Sequence, residues 1–220
     1  MYRINPNFES MEHEIRIEKT FRFETLNAQN NPKKVLYVLH GYGQLVKYFI
    51  RKFAHLPDDY LVVAPEGMHR FYLSGSSGRV GASWMTKEAR TSDIWDTMNY
   101  LNQLDAHIAK EFDITERYLL GFSQGGATAA RWYELGSIHF NAVALWGCVF
   151  PPDLPVTKFQ LSSKRAFFLI GDHDEFYADK QHEIVQIYET MGVQTLVYEG
   201  GHDLVNETLT QLLKKMEGIE

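Results

Sequence analysis

The chain has 220 residues, enough for one domain with a sizeable core, and its 45% hydrophobic and 23% charged residues are typical of soluble globular proteins. A formal net charge of −6, with no basic stripe, argues against a nucleic-acid-binding surface. Cys148 is the single cysteine, which excludes an intrachain disulfide and a cysteine-based metal site. It follows an apolar run, so we expect a small buried side chain.

The first residues contain no secretion signal of the usual type. Residues 1–19 lack an apolar segment and are interrupted by Glu9, Glu12 and Glu14. No apolar run approaches the roughly 20 residues needed to span a bilayer. We therefore expect a cytoplasmic protein without a transmembrane segment.

The hydrophobic pattern predicts strands and helices in alternation. Residues 14–26 alternate apolar with charged side chains, as in a half-exposed N-terminal antiparallel strand. Later apolar runs lack this alternation and are typical of strands buried on both faces of a parallel sheet; they cover residues 35–39, 61–64, 118–120, 142–146, 166–170 and 194–198. Helical spacing occupies the segments between them, at residues 92–112, 178–191 and 204–216.

This order predicts an α/β fold, a single domain over residues 1–220 with a mostly parallel, doubly wound sheet and helices on both faces. In such sheets ligands bind outside the carboxyl ends of the strands. The loops that follow the apolar runs are therefore where a functional site is expected.

One of these loops contains a nucleophile motif. After residues 118–120 comes Gly121-Phe122-Ser123-Gln124-Gly125, and an alanine-rich helix begins directly afterwards. G-x-S-x-G at a strand-to-helix junction forms a tight, strained turn that exposes the serine hydroxyl. In the alternative interpretation Ser123 only caps the helix. The placement between strand and helix favours Ser123 as a catalytic nucleophile.

A serine hydroxyl is a weak nucleophile at neutral pH and needs a histidine base, which a carboxylate orients. In this type of site the chain order is serine, acid, histidine. His202 lies just beyond the last strand-like run and is the best-placed base. Of the other histidines after Ser123, His139 and His182 follow no strand, and His173 lies in the loop that has to provide the acid.

The acid is expected in the loop after residues 166–170, where Asp172, Asp174 and Glu175 all qualify by position. A metal site built from Asp172, His173 and Asp174 is the competing interpretation. Adjacent residues seldom converge on one ion, so the sequence predicts no metal and no cofactor.

An oxyanion hole requires one N–H from the residue after the nucleophile, Gln124, and another from an early loop. The first buried run ends in Leu39-His40-Gly41-Tyr42-Gly43, where the glycines allow the Tyr42 N–H to point into the site. Val46 occupies the position at which a dinucleotide-binding motif needs its third glycine, so this loop does not match that motif. No glycine-rich loop continues into G-K-[ST], which excludes a P-loop.

With these motifs placed, the chain resembles the small cap-less carboxylesterase family that includes acyl-protein thioesterases and lysophospholipase-like esterases. The resemblance covers most of residues 35–213 and is carried by Leu39-His40-Gly41-Tyr42-Gly43, Ser83-Trp84, Gly121-Phe122-Ser123-Gln124-Gly125-Gly126, Gly171-Asp172-His173-Asp174 and Gly201-His202. It implies an α/β-hydrolase fold without a separate cap domain, Asp174 as the acid, and the main chain of Tyr42 and Gln124 as oxyanion donors. Ile170 and Glu175 depart from the family, which usually has histidine and proline at these places.

Residues 68–90 form a long segment for a compact domain, and we expect an active-site loop there. Its apolar side chains are candidates for an acyl pocket, with packing of the loop onto the body as the alternative: Phe71, Tyr72, Leu73, Trp84 and Met85. Together with the resemblance, these residues imply a serine carboxylesterase or thioesterase acting on a small-molecule ester with a short or medium acyl chain. A catalytically silent binding module on the same fold is the alternative.

Overall fold

The computed structural model describes residues 11–155 and 165–219. Its strands are β1 (Phe23–Leu26), β2 (Lys34–Leu39), β3 (Tyr60–Pro65), β4 (His69–Tyr72), β5 (Val80–Ser83), β6 (Glu116–Phe122), β7 (Ala142–Trp146), β8 (Ala166–Gly171) and β9 (Gln194–Tyr198). Seven of them form one sheet in the order β1-β3-β2-β6-β7-β8-β9, in which only β1 runs antiparallel to its neighbour. The predicted mostly parallel sheet is confirmed.

The helices are α1 (Val46–Phe49), α2 (Arg90–Glu111), α3 (Gln124–Leu135), α4 (Gln181–Thr190) and α5 (Asn206–Glu217). They cover both faces of the sheet because alternate strand side chains point to opposite sides. Val35 and Tyr37 of β2 belong to the core shared with α2, α3 and α4, whereas Leu36 and Val38 pack with α1 and α5. Cys148 is buried in the first of these cores, as expected. The doubly wound fold class is confirmed, while the single domain over residues 1–220 stays a prediction.

The strand order reverses between β2 and β6. From β2 the chain continues to β3 on one side, and it later returns as β6 on the other side. Both pairings are parallel, with Leu39 opposite Gly121, so the loops after β2 and β6 emerge side by side. Such a switch point leaves a crevice at the carboxyl edge of the sheet, and this is where the candidate residues gather.

The predicted N-terminal strand is much shorter than expected. Only Phe23–Leu26 pairs with β3, and Ile15 and Ile17 are 85% and 81% exposed. A strand needs a partner for its main-chain groups, and β3 ends at Pro65, opposite Phe23. The alternating pattern before residue 22 therefore has no sheet edge to join, and the prediction of a strand over residues 14–26 was wrong there.

Two further expectations require correction. The strand β9 forms the edge of the sheet and is only partly buried, so it is not enclosed on both faces. Residues 68–90 are not an irregular loop, because β4 and β5 pair as an antiparallel hairpin within them. The hairpin is joined to the loop after β2 by two main-chain hydrogen bonds, from Gly43 N–H to Ala82 O (2.9 Å) and from Ala82 N–H to Gln44 O (3.1 Å).

No helix in the described part of the chain combines the length and apolar character needed to cross a membrane.

Candidate active site

Ser123 lies in the sharp turn between β6 and α3. Its backbone has φ 54° and ψ −121°, a strained conformation for a residue other than glycine. Its N–H donates to the carbonyl of Trp146 at the end of β7 (2.8 Å), which ties the turn to the neighbouring strand. A residue held in strain of about 1–3 kcal/mol persists only where its surroundings enforce it, and such positions cluster at functional sites.

The glycines of the motif are required by close packing. A Cβ atom at Gly121 would lie 2.3 Å from the carbonyl oxygen of Gly125, and one at Gly125 would lie 2.2 Å from that of Leu39. Both distances are impossible for real Cβ atoms, so no other residue fits without a shift of the backbone. The spacing in the sequence thus has a steric cause: Gly121 packs against the start of the following helix, and Gly125 packs against the end of β2.

His202 and Asp174 form a buried hydrogen-bonded pair. The Nδ1–H of His202 donates to Oδ2 of Asp174 (2.7 Å), and the two side chains are 10% and 1% exposed. The second oxygen, Oδ1, accepts the N–H of Phe176 (3.0 Å), which fixes the carboxylate. Because an ionised carboxylate can only accept hydrogen bonds, Nδ1 carries a proton, which leaves the lone pair of the neutral imidazole on Nε2. The imidazole is therefore in the tautomer that a general base requires.

The ring of His202 is held next to the nucleophile turn. It packs on Phe122, the residue before Ser123, with ring centroids 4.9 Å apart, and on Phe176 at 4.5 Å. Phe176 is itself 68% exposed, so it covers the imidazole on the solvent side. Gly147, directly after β7, lies against the pair, since a Cβ there would be 3.2 Å from Cε1 of His202.

The other two acid candidates face elsewhere. Asp172 accepts hydrogen bonds from the Gly200 N–H (2.9 Å) and from Nδ1 of His173 (2.7 Å). The Gly200 bond is the main cause that holds the pKa of Asp172 below its usual range. Glu175 is exposed. Asp172 and Asp174 thus serve different partners, and the described residues contain no cluster of three or more potential ligands that could hold a metal ion.

The loop after β2 lies against Ser123. A Cβ at Gly41 would be 3.2 Å from Cβ of Ser123, and the Gly41 N–H donates to Oε1 of Gln44 (2.8 Å). Among the described residues the N–H of Tyr42 has no protein acceptor. Gln124 is the first residue of α3, where N–H groups lack an intrahelical partner. Both N–H groups predicted as oxyanion donors are therefore free to bind a developing negative charge.

The buried side chain of His40 holds this loop in place through hydrogen bonds. Its Nε2 accepts the Gly67 N–H (2.9 Å), so the ring is neutral with its proton on Nδ1, which donates to Gly41 O (2.8 Å). Burial lowers the pKa of His40 and favours this neutral form. Trp84 Nε1–H donates to the carbonyl of His40 (2.8 Å). The loop is thus held by a buried network rather than by its own turn alone.

The five residues predicted to line an acyl pocket lie in different surroundings and do not line one common cavity. Trp84 is 1% exposed and belongs to the core, and Phe71 packs on Tyr42 with ring centroids 5.0 Å apart. Met85 borders a cavity beside the start of α3, while Leu73 borders a different cavity beside α1. Tyr72 is half exposed. The alternation of side chains along a hairpin explains why neighbours in the sequence separate in this way.

Sequence reasoning missed several contributors to the site. Gly147 and Phe176 contact His202, and His40 and Gln44 fix the oxyanion loop. The position of Gly147 directly after the strand next to β6 could have indicated it. The remaining contacts depend on the tertiary arrangement, and no local pattern announces them.

Comparisons with models of protein families and with curated protein sequences found no match. Solved structures do match. A carboxylesterase from Mesorhizobium loti is similar at 18% identity over 88% of this chain and 94% of its own, with a TM-score of 0.69. Zea mays acyl-protein thioesterase 2 is similar at 16% identity over 90% and 98% (TM-score 0.67), and the Bacillus cereus carboxylesterase at 16% over 90% and 93% (TM-score 0.63). At these identities the likeness concerns the fold, and the protein therefore has the α/β-hydrolase fold that these small esterases share.

Proposed function

We propose that the protein is a serine hydrolase that cleaves carboxylic esters or thioesters, with Ser123 as nucleophile, His202 as base and Asp174 as the residue that orients the base. One observation carries the proposal: the buried 2.7 Å hydrogen bond between His202 and Asp174, on a ring that packs against the residue preceding Ser123. A strained serine and an oriented imidazole at one sheet edge are the arrangement that acyl transfer requires.

The reaction proceeds through an acyl-enzyme. Nε2 of His202 takes the proton of the Ser123 hydroxyl as its oxygen attacks the carbonyl carbon of the substrate. The oxyanion that forms accepts hydrogen bonds from the main-chain N–H groups of Tyr42 and Gln124, each of which is worth about 10²- to 10³-fold in turnover in comparable sites. The tetrahedral intermediate expels the alcohol or thiol, which receives the proton from His202. Water, which gives a proton to His202, then attacks the acyl-enzyme; the acyl group leaves as the carboxylic acid, and the proton from His202 restores the Ser123 hydroxyl.

The surroundings of Asp174 suit this role. Its side chain is 1% exposed, so the carboxylate is in a low-dielectric environment where its attraction for the imidazolium that forms during attack is strong. The main-chain N–H of Phe176 satisfies the other oxygen and prevents the carboxylate from rotating away. The names of the similar solved structures, carboxylesterases and an acyl-protein thioesterase, favour acyl esters or thioesters as substrates.

The test is labelling with a fluorophosphonate probe, followed by an ester-hydrolysis assay on short and medium acyl chains. We expect wild-type protein to be labelled at Ser123, and Ser123→Ala to lose the label and at least about 10³-fold in turnover. Ser137→Ala, at an exposed serine after α3, is the matched control and should keep both. Thermal melting establishes that each variant is folded. A folded wild-type protein that neither reacts with the probe nor hydrolyses any ester would favour the silent binding module instead.

A further inference from the structure

A cavity of about 690 Å³ adjoins the candidate active site. One of its walls contains Gly43 and Gln44, which belong to the loop that carries the Tyr42 N–H. Gln44 also accepts the N–H of Gly41, the residue that contacts Ser123. The volume is in the range of about 300–1,000 Å³ that small-molecule sites occupy. A substrate that runs from Ser123 past Gln44 would enter this space.

The charged side chains that line the cavity are all cationic. They are Lys47 of α1, Lys52 just after it, and Arg79 in the turn of the β4–β5 hairpin. Lys52 is already paired, because its Nζ donates to both carboxylate oxygens of Asp203 (2.7 and 2.9 Å). Within residues 11–155 and 165–219, Lys47 and Arg79 have no carboxylate partner.

The rest of the lining is largely apolar. Phe49 is buried at the inner end, and Leu45, Leu73, Tyr48 and Val80 complete the wall. Lys47 Nζ lies over the ring of Tyr48, 4.9 Å from its centroid, so what both cations lack is an anion. An apolar spacer next to two such cations is suited to a ligand with a hydrocarbon segment and an anionic end. A neutral acyl chain would use the apolar lining but would leave both cations without an anion.

We infer that this cavity is a specificity pocket for esters that carry an anionic group, a carboxylate or a phosphate, at a distance from the scissile carbonyl, with Lys47 and Arg79 binding the anion. The inference rests on the proposed serine hydrolase function and names its substrate class. A cleft lined by charges of one sign concentrates ligands of the opposite charge, and a guanidinium beside an ammonium offers directed donors to carboxylate or phosphate oxygens.

The test compares matched ester pairs that differ only in the anion. On the acyl side the pair is mono-p-nitrophenyl adipate and p-nitrophenyl hexanoate; on the alcohol side it is 4-(2-carboxyethyl)phenyl hexanoate and 4-propylphenyl hexanoate, whose leaving groups are similar. The measured quantity is the ratio of kcat/KM, anionic over neutral ester, for each pair. We expect a ratio of roughly 10 or more for the wild-type protein in at least one pair, decreasing as salt is raised to about 0.5 M because screening weakens the attraction.

Variants locate the effect. Lys47→Met and Arg79→Gln should each lower the ratio by roughly 3- to 10-fold, the double variant should lower it further, and Lys47→Arg should retain it. Lys110→Met is the matched control. Lys110 lies in the last turn of α2, which leads to the amino end of β6 and hence to the opposite edge of the sheet, so the ratio should not change.

The outcomes separate this inference from the proposed function. If neutral and anionic esters are hydrolysed equally well, the pocket does not select anions, although the serine hydrolase survives. If the anionic preference is present but unchanged in the Lys47 and Arg79 variants, it arises elsewhere and the assignment is wrong. If no ester is hydrolysed and Ser123 is not labelled, the proposed function fails and this inference fails with it.

Discussion

Replacement of Gly147 by alanine tests whether His202 and Asp174 take part in catalysis. Gly147 has φ +55° and follows β7, next to the nucleophile turn. A Cβ at this position would lie 3.2 Å from Cε1 and 3.3 Å from Nδ1 of His202, and 3.6 Å from Oδ2 of Asp174. The added methyl group would press on the imidazole itself, although no proposed catalytic residue is replaced.

The size of the effect follows from two separate contributions. The left-handed backbone costs an alanine about 1–2 kcal/mol relative to glycine, which lowers the free energy of unfolding whatever surrounds the residue. The contacts at 3.2 and 3.3 Å are tighter than ordinary packing, so the ring has to move by a few tenths of an ångström. Because a displacement of about 1 Å can reduce turnover about 10²-fold, we expect a loss in kcat of roughly 10-fold.

The matched control is Gly192→Ala. Gly192 has φ +75° and no atom within 4 Å of its Cβ position, so it has the backbone strain without the crowding. Both variants should melt about 2–8 °C below wild type, but only Gly147→Ala should lose kcat in an ester-hydrolysis assay. If the two variants lose stability equally and both keep wild-type kcat, the crowded imidazole is not the catalytic base.

Further outcomes follow from the buried groups. Asp174→Asn should reduce kcat by about 10⁴-fold, since the amide favours the wrong tautomer of the base, while Asp172→Asn should retain most activity in the same assay. Cys148 should stay unreactive towards a thiol reagent such as DTNB until the protein is unfolded, because burial raises the pKa of its thiol to about 12. The free energy of unfolding should fall as the pH decreases below about 6.5, because the unfolded chain protonates His40 while burial lowers the pKa of His40 in the folded state. His40→Gln should make this pH dependence shallower in denaturant titrations between about pH 7 and pH 5.

The candidate catalytic residues could be predicted because each depends on a local pattern at the end of a strand. The motif around Ser123 requires a strand before it and a helix after it, and the structure contains both. His202 and Asp174 follow β9 and β8, whose carboxyl ends share one sheet edge with β6. Parallel pairing alone therefore predicts that these loops lie on one side of the molecule. The sequence left three carboxylates open as the acid, because a choice between residues two positions apart depends on the turn they form.

The errors in the predicted fold have a different cause. They concern segments whose structure depends on pairing with a strand from another part of the chain. Residues 14–21 have the pattern of a strand, but main-chain pairing on this side ends just beyond β3, with the hydrogen bond from the Glu66 N–H to Arg22 O. The segment 194–198 has the composition of a buried strand, yet it lies at the edge of the sheet because no strand follows it on that side in the described chain. The β4–β5 hairpin was missed because each of its strands has only four residues and because a long serine- and glycine-rich turn separates them in the sequence.

The cavity lined by Lys47 and Arg79 has no signature in the sequence, because it too depends on contacts between segments that are distant in the chain. Lys47 and Arg79 belong to different elements, and they face one space only because the hairpin docks on the loop after β2 through Gly43 and Ala82. The catalytic candidates, by contrast, follow from the sheet edge, which the similar esterase structures share with this chain. In the proposed function, the chemistry thus depends on loops at the sheet edge, and substrate selection depends on Lys47 of α1 together with Arg79 at the hairpin turn. Exchange of the residues at the hairpin turn should therefore change which esters are preferred while the fluorophosphonate reaction of Ser123 persists.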